Sequence, residues 1–456
     1  MTAGLPLKLR MFHHANAPLA DGLTRDQLLR LSDHDFETRH GFIQWAFPTP
    51  YPSATFSNAP VLSLQDARSL AEAPDVIGFI EDMTQRYINV LSRSRRWIAP
   101  HDHNHLRITR VLTCLRFLHG WDLADWFHRQ VVALCGDEMA HMDTAAAHWQ
   151  AQVTPRHDRA AGAFVGLAIG DALGAAVTGA ARGSFAPLTG FRAGGRLGLG
   201  AGAWTDETAM ALCLAESLLA RETLDPADLL TRFCTWAETG VPSSTGKAVD
   251  LGQTTLRSLG DFRRSGRLEA LPAGANSDGN GSLPRTAPIA CYWQDDLSAT
   301  REAAIAQSRT THASALAERA CDFLAELTLH LMGGLPYEQS KSRALARHKG
   351  PRLYTELSVD FHGMPADQIA SGGYVLDTLR AALWALENTT SFDQAVLLAA
   401  NLGNEADTTA AIAGQIAGAR YGYSAVPLAL RRGLAQERLL YVTSQFLSRA
   451  GAARPA

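Results

Sequence analysis

Two short tetrads carry the residues of this sequence best suited to chemistry: Thr205-Asp206-Glu207-Thr208 and Glu405-Ala406-Asp407-Thr408. Each opens a segment with helical spacing of its apolar residues, so each sets carboxylates at a helix N-terminus, where backbone N–H groups and the helix dipole favour negative charge. Either tetrad alone reads equally well as a simple cap. Together they supply four carboxylates and three hydroxyls, with no His or Cys among them. That donor set suits a hard cation, Mg²⁺ or Mn²⁺, which prefers octahedral oxygen ligands. Without a cation, four converging carboxylates repel and some take up protons. A pair of metal ions resolves that conflict.

The elements that must bring the tetrads together are marked by glycine. Gly162, Gly166, Gly170 and Gly174 recur every four residues along one helix candidate, and Gly414 and Gly418 share that interval on the helix the second tetrad opens. Glycine costs about 1 kcal/mol in a helix interior, so a stripe of it needs the offsetting gain of close backbone approach. A membrane role for the stripe fails on Asp171, which interrupts the run and reads as a buried structural acid. Apolar residues three and four apart predict helices over 66–92, 106–118 and 123–134, then over 160–178, 207–221, 226–239, 314–332, 374–387, 392–401 and 408–421. Two Gly-rich loops, 190–202 and 273–282, lie between the later helices. The fold class is all-α, with long loops carrying function.

Composition divides the chain near residue 155. Of 16 histidines 12 lie at or before His157, and beyond it the sequence turns rich in Ala and Gly. This predicts a smaller helical module over 20–138, a linker over 139–157 and a larger helical domain over 158–450. A net charge of −3 supplies no positive field for nucleic acid or an anionic membrane. The uncharged apolar-leaning stretch 160–169 falls far short of the roughly 20 residues a membrane helix needs. Six cysteines without a CxxC pair predict buried free thiols in a reducing compartment, and the expected location is the cytoplasm.

The segments GAFVGLAIGDALG (162–174), AWTDETAMAL (203–212), GNGSLPRTAPIA (279–290), TTHASALAERA (310–320), SGGYVLDTLRAALWAL (371–386) and NLGNEADTTAAIAGQIAGARYG (401–422) together resemble the ADP-ribosylglycohydrolase family, in motif order. The resemblance implies an all-α fold with a two-metal centre that removes ADP-ribose from a modified acceptor. Carried over residue by residue, the family's metal motifs fall on Thr205, Asp206, Glu207, Glu405, Asp407 and Thr408. Of these, Asp206, Glu207 and Glu405 are the expected catalytic carboxylates: Asp206 and Asp407 as shared ligands, Glu207 and Glu405 to orient or deprotonate a water. The metals would hold hydroxyls of the distal ribose and that water. Asn280, Gly281, Ser282, His312, Gly373 and Tyr374 fall at positions expected to meet ADP-ribose.

Three positions depart from the family pattern. Glu207 and Glu405 stand where Asp is usual, each adding about 1.5 Å of reach. Thr178 stands where many members carry a glutamate implicated in serine-linked hydrolysis, so the resemblance implies an arginine-linked substrate. A non-catalytic ADP-ribose or toxin binder with a degenerate metal site, or a hydrolase of serine, ester or nucleic acid base linkages, are the alternatives. In the N-terminal third, HGFIQWAFPTPYPS (40–53) and NHLRITRVLTCLRFLHG (104–120) resemble the conserved region of the opioid growth factor receptor family. That implies a helical module; from the two-part architecture, its expected use is to bind a protein partner, a toxin or a target, with an immunity role for the whole chain. The run His101-Asp102-His103-Asn104-His105 has poor metal-ligand geometry and reads as a solvated loop with Asn104 as helix cap.

Overall fold

The computed structural model describes residues 4–53, 55–271, 278–348 and 351–452. Among them the regular structure is helical, with three isolated β-bridges and no strand, as the all-α reading expects. The chain divides into two compact units, Met1–His157 and Asp158–Ala456.

In the N-terminal unit the helix predicted over 66–92 is two helices, Leu64–Ala71 and Pro74–Arg93. Pro74 has no N–H to continue the first, and its fixed φ starts the second. The segment predicted at 106–118 begins earlier, at His103–Cys114, and closes in a π-helical turn, Leu115–His119. Asp102, not Asn104, caps it, accepting from the Asn104 N–H at 2.8 Å. Asn104 is buried instead, where the Tyr87 hydroxyl donates to it at 2.9 Å. Arg107 donates to the carbonyls of Phe36 and Arg39 at 3.1 and 2.7 Å, tying the start of the second motif to residues beside the first. The two motifs line one cavity of about 560 Å³, whose walls include His40, Tyr51, Phe56, His103, Arg107 and Arg110. The stretch 139–157 is no tether. It holds helix Asp143–Gln152, with Trp149 fully buried and its indole donating to the His105 carbonyl at 3.1 Å, and the start of helix Pro155–Gly174.

In the C-terminal unit the glycine stripes meet. Helix Pro155–Gly174 and helix Ala406–Tyr421 run antiparallel with backbone against backbone. A Cβ on Gly162, Gly166 or Gly170 would lie 2.4, 2.3 or 1.9 Å from the carbonyl oxygen of Gly418, Gly414 or Ala410, and one on Gly174 would lie 2.3 Å from the Asp407 nitrogen. Any side chain there would force the helices apart. Asp158 closes one end of the seam, accepting from the Ser424 N–H and hydroxyl at 2.8 Å each. All six cysteines are buried and unbridged. Among the described residues no helix is long and apolar enough to cross a membrane.

Candidate active site

The seam delivers both tetrads to one place. Asp171, fully buried on the glycine helix, accepts from the Thr205 N–H at 3.0 Å, the Thr205 hydroxyl at 2.8 Å, the Thr208 N–H at 3.0 Å and the Thr208 hydroxyl at 2.6 Å. It caps helix Asp206–Arg221 from a neighbouring element, and Thr205, the N-cap residue, makes no cap bond with its own side chain. Burial lifts the Asp171 carboxyl to about 6, against the pull of those four donors. At the other tetrad, Thr178 donates to Asp407 Oδ1 at 2.9 Å, and the Thr408 N–H donates to the same oxygen at 2.8 Å. The Thr408 hydroxyl donates to Glu207, joining the tetrads directly.

Burial and mutual repulsion hold these acids toward their neutral forms. Desolvation leads for each. Asp407 is raised to about 8, with Asp171 and Asp250 adding to it. Asp206 is raised well above the carboxylate range, with Asp407 and Asp250 next in effect, and Glu207 likewise, with Asp206 and Asp407 next. Glu405 lies exposed at the rim and is raised by desolvation and then by Asp250. Among the described residues no Lys or Arg forms an ion pair with Asp206, Glu207, Glu405 or Asp407. A buried, oxygen-only set without a counter-ion fits a hard divalent cation. The hydroxyl protons of Thr205 and Thr408 go to Asp171 and Glu207, which leaves their oxygen lone pairs available to such an ion.

The expected ligand-contacting residues gather beside Glu405. Gly279 and Tyr374 form an antiparallel bridge, and the Asn280 N–H donates to the Gly373 carbonyl at 3.2 Å. Asn280 is buried, donates to Thr378 Oγ1 at 3.0 Å and also bonds Glu405. Gly373 lies against the Glu405 side chain, where a Cβ would come within 3.8 Å. The Tyr374 ring faces the Arg352 guanidinium at 5.2 Å, and its hydroxyl is buried without a hydrogen-bond partner. Two residues sit differently from the expectation. The Ser282 hydroxyl points into the core, at 2.9 Å from Ser308 Oγ. His312 supports the turn from beneath: its buried ring lies under Gly279 and Gly281, bonds Thr311 at 2.8 Å through Nδ1, and is held to about 3, hence neutral, by desolvation. Residues 273–277 of the second Gly-rich loop lie outside the described residues. The first contains a built turn in which the Gly194 N–H donates to the Leu199 carbonyl at 2.8 Å.

Three further residues act at the site. Asp250 is a fifth carboxylate acting on the cluster, and Arg196 of the first Gly-rich loop binds it with 2.7 and 2.8 Å contacts. Arg285, in the segment 279–290 and on the 3₁₀ turn Pro284–Thr286, is fully buried and bonded to Gln307 and Thr311, with Glu207 and Asp206 among the charges acting on it. The segments of Arg196 and Arg285 stand out in the sequence, but nothing in the spacing assigns any of the three side chains to the acids. Elsewhere, Asp322, Glu326 and His348 cluster within 4.8 Å, but Arg301 and Arg347 already neutralise those acids.

The family model of ADP-ribosylglycohydrolase matches residues 152–455. ADP-ribosylarginine hydrolase Tri1 of Serratia proteamaculans is 37% identical over 297 residues, 63% of this chain and 78% of that protein. The ADP-ribosyl-[dinitrogen reductase] glycohydrolase of Rhodospirillum rubrum is 35% identical, over 59% of this chain and 88% of its own length. A solved structure, the ADP-ribosylglycohydrolase-related protein complex, superposes with a TM-score of 0.57 at 36% identity, covering 65% of this chain and 99% of the other. With the glycine seam, the paired tetrads and a match across two-thirds of its length, this chain belongs to the ADP-ribosylglycohydrolase family.

Proposed function

We propose that this chain is a hydrolase that cleaves the N-glycosidic bond between ADP-ribose and an arginine side chain of a modified protein. The observation that carries the reading is the acid cluster, four carboxylates from two helix N-termini, none of them in an ion pair with a base among the described residues, in a chain similar to enzymes named for that substrate. A divalent cation pair bound there, Mg²⁺ or Mn²⁺, supplies charge neutralisation and a water of lowered pKa. Asp206, Glu207 and Asp407, with the Thr205 and Thr408 hydroxyls, hold it. Glu405 is the carboxylate at the exposed rim, beside Asn280 and Gly373, and is the one placed to orient water and accept its proton as oxygen joins the anomeric carbon. The sugar–nitrogen bond breaks with its electron pair going to the guanidine, which leaves and takes up the proton given up by water, and the positive charge developing on the sugar is stabilised by the surrounding acids. Thr178 braces Asp407 rather than offering a carboxylate to substrate, which favours arginine-linked over serine-linked ADP-ribose.

The test is ADP-ribose release from an arginine-ADP-ribosylated protein with Mg²⁺, Mn²⁺ or EDTA, beside Asp206→Ala and Asp407→Ala. Metal-dependent release lost in both variants is the expected result. No release with either metal sinks the arginine-linked reading, and binding of ADP-ribose without release favours the non-catalytic binder. The N-terminal unit, resembling the opioid growth factor receptor conserved region, is proposed as the protein-binding module, its cavity between the two motifs supporting that role. An immunity function against an ADP-ribosylating toxin follows if that partner is the toxin or its target.

A further inference from the structure

The Gly-rich turn beside the acid cluster is built to present one side chain. Leu197 and Leu199 pack with Ala175, Ala203 and Val249. Gly195, at φ +72°, lies so close to the glycine helix that a Cβ would come 2.5 Å from the Ala176 carbonyl oxygen. The next residue is Arg196. Its stem crosses Gly179, where a Cβ would lie 3.0 Å from Arg196 Nε. Its guanidinium donates to both Asp250 oxygens, at 2.7 and 2.8 Å. Asp250 follows the pinned Val249 and holds φ +59°, a conformation that non-glycine residues adopt rarely and that persists only where the surroundings impose it. Asp407 and Glu405 act on the same guanidinium, and Asp250 acts in turn on Asp206, Glu405 and Asp407. The free protein therefore already holds a guanidinium at its acid site, donated by its own chain.

We infer that Arg196 occupies the place of the substrate's arginine guanidinium and must be displaced when substrate binds. Resting on the arginine-linked reading, this makes Arg196 a specificity-determining residue that sets the threshold for acceptor binding. The chemistry suits exchange. The Arg196 side chain is 56% exposed and Asp250 20%, so the pair is weak enough to open while its acceptor stays in place. Both contacts run from one nitrogen, Nη2, to the two Asp250 oxygens, so Asp250 reads a charged nitrogen donor and disfavours a neutral hydroxyl acceptor.

The test uses the full-length, metal-loaded protein with Arg196→Gln and Arg196→Lys. Agmatine, an alkylguanidine, is titrated calorimetrically, and KM and kcat are measured on an arginine-ADP-ribosylated protein. Removing the internal competitor should tighten agmatine and lower KM by about fivefold, the size of an exposed ion pair, with kcat within about twofold and Arg196→Lys between. A KM that rises in Arg196→Gln assigns Arg196 to substrate contact and overturns the inference, as does unchanged agmatine affinity. Agmatine binding needs no turnover, so a wild type that releases no ADP-ribose sinks the proposed reaction while the titration still decides on Arg196.

Discussion

The two units bury ionisable groups by opposite rules. In the N-terminal unit the buried bases are spent on backbone: His13 bonds the Trp45 carbonyl at 2.9 Å, His105 the Trp97 carbonyl at 3.0 Å, and Arg107 the carbonyls of Phe36 and Arg39. In the C-terminal unit Glu207 and Asp407 are buried beside the half-buried Asp206, and their donors are threonines and backbone N–H groups, not cations. Burial pushes His13 toward its neutral form in the first arrangement and the acids toward theirs in the second. Only the second leaves a charge demand that one guanidinium of the chain meets in part, and that separates a site from a core.

The largest effect that could break this contrast is chemical. Asp407→Asn removes a carboxylate that Thr178, Thr408 and the seam all position, and should lower ADP-ribose release about a thousandfold while the melting of the N-terminal unit stays unchanged. Next, Gly170→Val places branched bulk where even a Cβ would sit 1.9 Å from the Ala410 carbonyl. It should destabilise the C-terminal unit by about 3 kcal/mol or more, seen as one early transition in urea with the other unmoved.

A pH series sharpens the contrast by sign. In metal-free protein Asp407 titrates near 8 folded and near 4 unfolded. The native state thus holds the extra proton between those values, and the C-terminal unit should lose on the order of 1 kcal/mol per pH unit as pH rises through that window. Added Mg²⁺ should cancel the loss. His13 is depressed to about 3, chiefly by burial, so the unfolded chain takes the proton first. The N-terminal unit should then be at full stability above about 6.5 and lose it as pH falls toward 3. Two melting transitions moving the same way with pH would break the comparison. The smallest effect is Tyr87→Phe, which deletes the hydroxyl bond to Asn104 and should cost the N-terminal unit about 1 kcal/mol with ADP-ribose release unchanged.

Much of this was legible in the residues. The four-residue glycine interval placed the seam, because only close backbone approach offsets glycine in a helix. The tetrads declared themselves by donor type, and the threes and fours of apolar spacing located the helices. Pro74 shows where periodicity misleads: the apolar spacing runs on through a residue that must begin a new helix. Asp250 and Arg196 were illegible because loops, which have no period, bring them to the acids, and Arg285 fell in a recognised segment whose spacing does not tell that its side chain turns inward. Ser282 and His312 fell in the right segments, but which way a side chain turns depends on the folded neighbours it meets, Ser308 for Ser282 and Thr311 for His312.

The glycine seam also acts as a graduated rule. Its contacts repeat every four residues, so the helices could in principle engage one graduation out of step, a slide of about 6 Å, and still nest glycine against glycine. Such a slip would carry Asp407 away from Thr178 and the first tetrad. The two end stops, Asp158 on Ser424 and Thr178 on Asp407, exist in one alignment only. Weakening both stops while keeping every glycine should yield a protein that is folded, compact and misregistered, with its acids intact and out of reach of each other.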